Sequence, residues 1–390
     1  MTDNVIILGA GASVDAGIPV LANFVDKMLE FGMRGMNGKE QLTNKDREVF
    51  EKVLQVRNQL DGYHGRASFD DHNIEDILSI LSFNIMGGDD TDRDNLKWMI
   101  QGIVRTIELT CTIKHDGELN KIQEIGPEIY RYFWRKLINR FQPSNSLPSI
   151  ITFNYDLVLE RALFQVLINT EFGYGASISE VLRKDGLVLK YHSSLLSDYY
   201  YKLADARYTK FDDFPRDHIG KVLEPCNPTE ISEPLSVELL KLHGSLNFPS
   251  EKSEAYTNPM NPSNQPFLLP PVLNKAFAGS EQKTWKVALQ RLREAKNIVI
   301  VGYSLPITDI YMQYFFKAGL GPNINLNKIF VFDPVLFRDA NSCREMEQRY
   351  ESCFSPQLKR RIIFRPQRSN GMFESFVDLI EDRESSIFFD

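Results

Sequence analysis

The sequence predicts an α/β fold, a doubly wound parallel sheet interrupted by a large inserted helical module. Three observations carry that expectation. Val5-Ile6-Ile7-Leu8 is a continuous apolar run of the kind a strand buried on both faces requires, and it leads directly into Gly9-Ala10-Gly11. Runs of the same kind recur at Ser149–Phe153, Glu238–Leu242, Asn297–Val301, Ile329–Phe332 and Ile362–Phe364. Helical spacing lies between several of them, as at Asp156–Leu167 and Gln282–Ala295. Strands alternating with helices indicate parallel pairing.

The interval between the first two strands is about 140 residues, far more than a crossover connection uses. Apolar residues three and four apart over Lys45–Leu60, Ile74–Ile85, Asp92–Leu109 and Glu118–Phe141 predict helices there. Asp70–Ile74 reads as a turn and helix start, and Pro143 to Pro148 as a helix exit. Residues 22–147 are therefore expected to form a helical module inserted into a domain made of residues 1–21 and 148–390. A second insertion, at about residues 170–237, is polar and rich in tyrosine and aspartate, and its pattern assigns it no fold. The Pro/Asn-rich piece Asn258–Pro266 is expected to be a loop.

A chain of 390 residues, 43% hydrophobic and 25% charged, can bury a large core without staples. Its 45 Lys+Arg against 52 Asp+Glu give a net charge of −7, which argues against a nucleic-acid coat, so no direct nucleic-acid binding is expected. Cys111, Cys226, Cys343 and Cys353 lack zinc-site spacing and are too few for a disulfide framework. Met1-Thr2-Asp3-Asn4 has no basic region, and no apolar stretch reaches spanning length. The expectation is a cytoplasmic protein with no membrane partner and no metal.

Glycines directly after a buried strand let backbone approach a phosphate and offer it amide donors. The dinucleotide fingerprint expects a further glycine where this chain has Val14, and no second strand ends in an acidic residue some twenty positions on. An ordinary nicotinamide dehydrogenase is disfavoured, and on the glycines alone a ligand-free strand–helix turn stands equally well. More candidates sit at the later strand ends: Thr152-Phe153-Asn154-Tyr155-Asp156, Leu242-His243-Gly244-Ser245, Val301-Gly302-Tyr303-Ser304-Leu305-Pro306 and Phe332-Asp333-Pro334. Taken singly, Asp156 reads as a helix cap, Ser304 as a turn residue and His243 as a hydrogen-bonded structural histidine, and the structural reading is preferred for Asp333 too. Taken as an ordered set at strand ends, they read as a site. The other histidines, His64, His72, His115, His192 and His218, lack ligand spacing. Tyr199-Tyr200-Tyr201 reads as packing or a partner surface, and Asp89-Asp90 as an exposed turn.

Gly9-Ala10-Gly11-Ala12-Ser13-Val14-Asp15-Ala16-Gly17-Ile18-Pro19 closely resembles the first motif of the sirtuin family, and the later strand-end strings follow in that family's order. The likeness covers about a quarter of the chain and neither insertion. It implies a Rossmann-like sheet and NAD as substrate. It implies catalytic roles for Asn154 on the ribose or a water, for His243 as base, and for Asp156 on the nicotinamide carboxamide. It further implies binding roles for Gly9, Ala10, Gly11, Ala12, Ser13, Gly17, Ile18, Pro19, Thr152, Phe153, Gly302, Tyr303, Ser304 and Asp333.

The chain departs from sirtuin deacylases in three ways. Val20-Leu21-Ala22 replaces their Asp-Phe-Arg, no cysteine pairs follow His243-Gly244, and about ninety residues separate Asn154 from His243. No zinc is therefore expected, and water is the expected nucleophile. The pattern resembles the NAD-depleting effectors of bacterial anti-phage defence, which implies hydrolysis to nicotinamide and ADP-ribose. It also implies homo-oligomerisation and a protein partner such as a HerA-type ATPase, with an Argonaute as the alternative. The competing readings are a non-catalytic NAD or ADP-ribose sensor and, more remotely, a protein deacylase.

Overall fold

The computed structural model describes residues 3–38, 40–62, 70–113, 126–141, 147–168, 187–191, 199–203, 223–225, 235–249, 260–263, 265–269, 282–307, 309–365, 372–380 and 388. His64, His115, His192, His218, Cys226 and the expected helical residues 118–125 lie outside them. The chain divides into two compact units. One comprises Met1–Asp15, Thr112–Phe267 and Phe277–Asp390; the other comprises Ala16–Cys111 and Leu268–Ala276.

In chain order the strands are β1 (Asn4–Leu8), β2 (Met36–Asn37), β3 (Glu40–Gln41), β4 (Ser149–Thr152), β5 (Leu187–Tyr191), β6 (Tyr199–Leu203), β7 (Leu223–Pro225), β8 (Leu235–Lys241), β9 (Gly244–Pro249), β10 (Pro266–Leu268), β11 (Asn297–Val301), β12 (Lys328–Phe332) and β13 (Ile362–Arg365). The first unit is built on a nine-stranded sheet in the order β13-β12-β11-β1-β4-β8-β5-β6-β7. Pairing is parallel from β13 through β5 and antiparallel from there to β7. The order reverses at β1, with β4 and β8 to one side and β11 to β13 to the other. This is the α/β, Rossmann-like arrangement the sequence predicts, and every strand it predicted is present. The segment 170–237, left without a fold by its pattern, contributes β5, β6 and β7 to the sheet.

At β1, β4, β8, β11 and β12 both faces of the sheet are covered, which is why these strands read as unbroken apolar runs. On one face Val5, Ile7, Ile151, Leu240, Ile298, Ile300, Ile329 and Val331 pack with Trp285, Leu292, Met312, Phe316 and Tyr350. Those partners come from the helices Gln282–Glu294, Ile310–Leu320 and Ala340–Ser352. By the two-residue period of a strand, Leu8, Ile150, Thr152, Lys241 and Phe332 turn to the other face. There the helices Glu128–Phe141 and Met372–Asp378 supply Tyr130, Trp134, Phe373 and Phe376, with Phe376 packed 5.7 Å from the Phe332 ring.

The second unit carries the helices Leu21–Arg34, Asn44–Asp61, Ile74–Met86 and Thr91–Thr110. Their ends follow local rules. The Thr43 hydroxyl accepts from the Asp46 amide, Asn73 accepts from Glu75, and Gly35 stops the first helix at φ +61°. Met28, Phe31, Phe50, Val53, Leu78, Met99 and Ile103 form its buried interior. Asp89 accepts from the Thr91 amide in an exposed turn, as expected. No helix among the described residues is long and apolar enough to cross a membrane.

Candidate functional site

Open α/β sheets bind ligands beyond the carboxyl ends of their strands, where the strand order reverses. Here that point lies between β1 and β11. After β1 the chain enters a 3-10 turn, Ala10–Ala16, packed backbone against backbone on the end of β11. Gly9 N donates to Val301 O at 2.9 Å, Gly11 N to Gly302 O at 2.9 Å, and Ala12 N to Gly9 O at 3.0 Å. Glycine alone permits this approach. A Cβ on Gly9 would sit 2.4 Å from Gly302 O, and one on Gly302 would sit 2.3 Å from Ala12 N. Gly302 is also at φ +66°, in the left-handed region. The amides of Gly11 and Ala12, expected to cradle a pyrophosphate, are thus engaged inside the protein. Contact between the two turns is itself a sufficient reason for the glycines.

From the end of β4, Asn154 reaches into the same turn. Its Nδ2 donates to Gly9 O at 2.9 Å and to Ser13 Oγ at 2.8 Å, while its backbone amide donates to Thr152 Oγ1 at 3.1 Å. A carbonyl can only accept, so the NH2 end of the amide must face Gly9. Both Nδ2 protons are thereby used. Among the described residues Oδ1 takes no hydrogen bond, and the Ser13 hydroxyl, as acceptor from Asn154, keeps its own proton. One acceptor and one donor are thus left without a partner among the described residues.

A recess of about 10 Å³, room for roughly one water, lies here. Its polar lining is Ser13, Thr152, Asn154, Asp156, Glu160 and Lys241, and its apolar lining includes Leu8, Ala12, Tyr130, Val158 and Phe373. Tyr130 donates its hydroxyl proton to Ala12 O at 2.8 Å. Sequence reasoning missed Lys241 and Glu160. Their side chains are 2% and 1% exposed and pair at 2.8 Å, and Lys241 Nζ also donates to Asp156 O at 2.5 Å. The available signal was a lysine closing an otherwise apolar strand end and a glutamate within the apolar helix start Val158-Leu159-Glu160.

The other predicted residues fall in distinct places. Asp156 lines the recess, but its Oδ1 accepts from Val158 N at 3.0 Å, the capping role open to it from sequence. His243 is buried beside the rings of Phe153, Tyr155 and Trp285, at centroid distances of 5.5, 6.4 and 6.3 Å, and is not among the residues lining the recess. Phe153 packs 4.9 Å from the Tyr303 ring. Tyr303 donates to Asp309 Oδ2 at 2.7 Å, and its carbonyl accepts from the Tyr350 hydroxyl. Ser304 is half-buried and precedes Leu305, the one non-glycine residue with positive φ (49°) among those described. Asp333 caps the short turn Pro334–Phe337 through Val335 N at 2.9 Å. Burial raises its carboxyl above the usual range, against the lowering effects of the Val335 amide and of Arg338 and Arg349. Gly17 (φ +85°), buried Ile18 and half-buried Pro19 belong to the second unit. No group of three or more potential metal-ligating side chains occurs among the described residues. No protein-family model matches the chain, and no curated protein does.

Proposed function

We propose that the chain is a sirtuin-like NAD glycohydrolase that releases nicotinamide and ADP-ribose, acting as an NAD-depleting effector in bacterial anti-phage defence. The observation that carries the reading is the pair of Asn154 Oδ1 and the Ser13 hydroxyl, both without a partner among the described residues and both lining the recess at the carboxyl ends of β1 and β4. An acceptor beside a donor suits a sugar hydroxyl, which has one proton to give and lone pairs to receive. Seating a sugar there requires the recess to widen beyond its present 10 Å³.

The chemistry asks little of acid catalysis. Breaking the nicotinamide–ribose bond builds positive charge at the anomeric carbon, as in other glycosyl transfers, and nicotinamide leaves as a neutral base. Asn154 accepts from a ribose hydroxyl or from the attacking water, and His243 takes the proton that water loses on adding to the anomeric carbon. A constitutively active enzyme of this kind would poison its host, so gating by self-association or by a HerA-type ATPase belongs to the proposal, as does a cytoplasmic location.

A second reading is favoured by one observation: His243 sits in an aromatic group rather than in the recess. On that reading the chain binds NAD or an ADP-ribose derivative without cleaving it and signals to a partner. One experiment separates the two. The chain is incubated with NAD, alone and with candidate partners, and products are identified by mass spectrometry. Stoichiometric nicotinamide and ADP-ribose support the hydrolase; NAD bound but intact supports the sensor, and neither binding nor products ends both.

A further inference from the structure

The recess holds a charged pair that neither the resemblance nor the expected chemistry uses. Lys241 closes β8 and Glu160 lies in the first turn of the helix Val158–Ile168; both side chains are almost completely removed from water. Taking two charges out of water costs several kcal/mol per ion, and packed apolar residues of similar volume generally do as well or better for stability. Stability is therefore a poor reason for this pair. Its geometry suggests another.

The lysine joins two things. It donates to Glu160 Oε1 at 2.8 Å and to the backbone carbonyl of Asp156 at 2.5 Å. Asp156 ends the segment that presents Asn154. That segment is held at its start by Phe153 N to Leu8 O (3.3 Å) and Leu242 N to Thr152 O (2.9 Å), and in its middle by Leu246 N to Tyr155 O (2.9 Å). Lys241 supplies the hold at its far end. Glu160 in turn keeps the ammonium aimed at that carbonyl.

We infer that Lys241 is a positioning residue: its ammonium, oriented by Glu160, fixes the turn Thr152–Asp156 so that the Asn154 amide stays against Gly9 and Ser13 with Oδ1 unengaged. The inference deepens the reading of this recess as the NAD site and rests on it for its effect on turnover.

The test compares the full-length wild type, Lys241→Met and Lys241→Met/Glu160→Met by three measurements: thermal unfolding, nicotinamide release from NAD, and the side-chain amide resonance of Asn154 in ¹⁵N-labelled protein, assigned by its loss in Asn154→Ala. The single variant, which strands a buried carboxylate, is expected to melt well below wild type. The double variant is expected to melt within a few degrees of wild type, yet with the Asn154 resonance shifted and nicotinamide release at least about tenfold lower. A purely structural pair predicts the opposite, recovery of resonance and turnover together with stability, and that result overturns the inference. Should the double variant not fold, Lys241→Gln/Glu160→Gln replaces it under the same criteria. If wild type, alone and with the candidate partners, releases no nicotinamide while the Asn154 resonance still moves as expected, the hydrolase reading fails and the positioning role stands.

Discussion

Asn154 and Gly9 are joined across two adjacent strands: the side-chain amide at the end of β4 donates to the backbone carbonyl at the end of β1 at 2.9 Å. This bond settles which end of the amide is engaged and leaves Oδ1 as the acceptor that the proposed function uses. Asn154→Ala removes this bond and the one to Ser13, for an expected loss of about 1–2 kcal/mol in urea denaturation. Asn154→Asp sets a carboxylate against the Gly9 carbonyl and is expected to cost more at pH 7. Nicotinamide release should fall about a hundredfold or more in Asn154→Ala, and an Asn154→Ala enzyme with full turnover would contradict the acceptor role.

Gly302→Ala meets two penalties at once. The left-handed backbone costs a non-glycine residue about 1–3 kcal/mol, and the added methyl lies 2.3 Å from Ala12 N in backbone that cannot step aside cheaply. A loss above about 3 kcal/mol, or no soluble protein, is the expected outcome in chemical denaturation.

Leu305 sets strain against packing. Its φ of 49° costs about 1–2 kcal/mol, which Leu305→Gly would relieve, but its side chain is fully buried and removing it costs about 2–5 kcal/mol. Packing wins, so Leu305→Gly is expected to lower the unfolding midpoint. A rise would mean that strain dominates.

Asp333 gives a pH signature. Burial raises its carboxyl above the unfolded value, so the folded state binds this proton more tightly. Its contribution to stability is fully present below the ordinary carboxylate range and is lost as pH rises through the raised value. Asp333→Asn keeps an oxygen for the Val335 amide and removes the charge. It should melt higher than wild type at pH 7, with the difference shrinking on acidification.

His243→Gln tests whether the imidazole does chemistry from its aromatic surroundings. On the hydrolase reading turnover drops about 10²- to 10⁴-fold while NAD binding, followed by calorimetry, persists. Turnover unchanged in His243→Gln would remove the histidine from the mechanism.

The strands were legible because burial on both faces writes an uninterrupted apolar run, as in Val5–Leu8 and Asn297–Val301. The glycines were legible as close approach, but not what approaches them: only the coordinates place Gly302 against Gly9 and Gly11, residues about 290 positions away. Lys241 and Glu160 escaped because their meaning is a pairing between β8 and a helix 81 residues earlier, and neither residue type signals burial by itself. Asp156 was ambiguous in sequence and stays dual in the structure, a cap that also borders the recess. The strands β5–β7 were hidden in a polar segment whose periodicity is weak.

The loop after β11 is pinned from several directions: Gly302 by the turn after β1, the Tyr303 carbonyl by Tyr350, and the Tyr303 hydroxyl by Asp309. A rim anchored in this way has already surrendered its conformational freedom during folding. A molecule that settles against it therefore meets a pre-organised wall, and the entropic toll of association falls on the guest and on whatever opposes that wall.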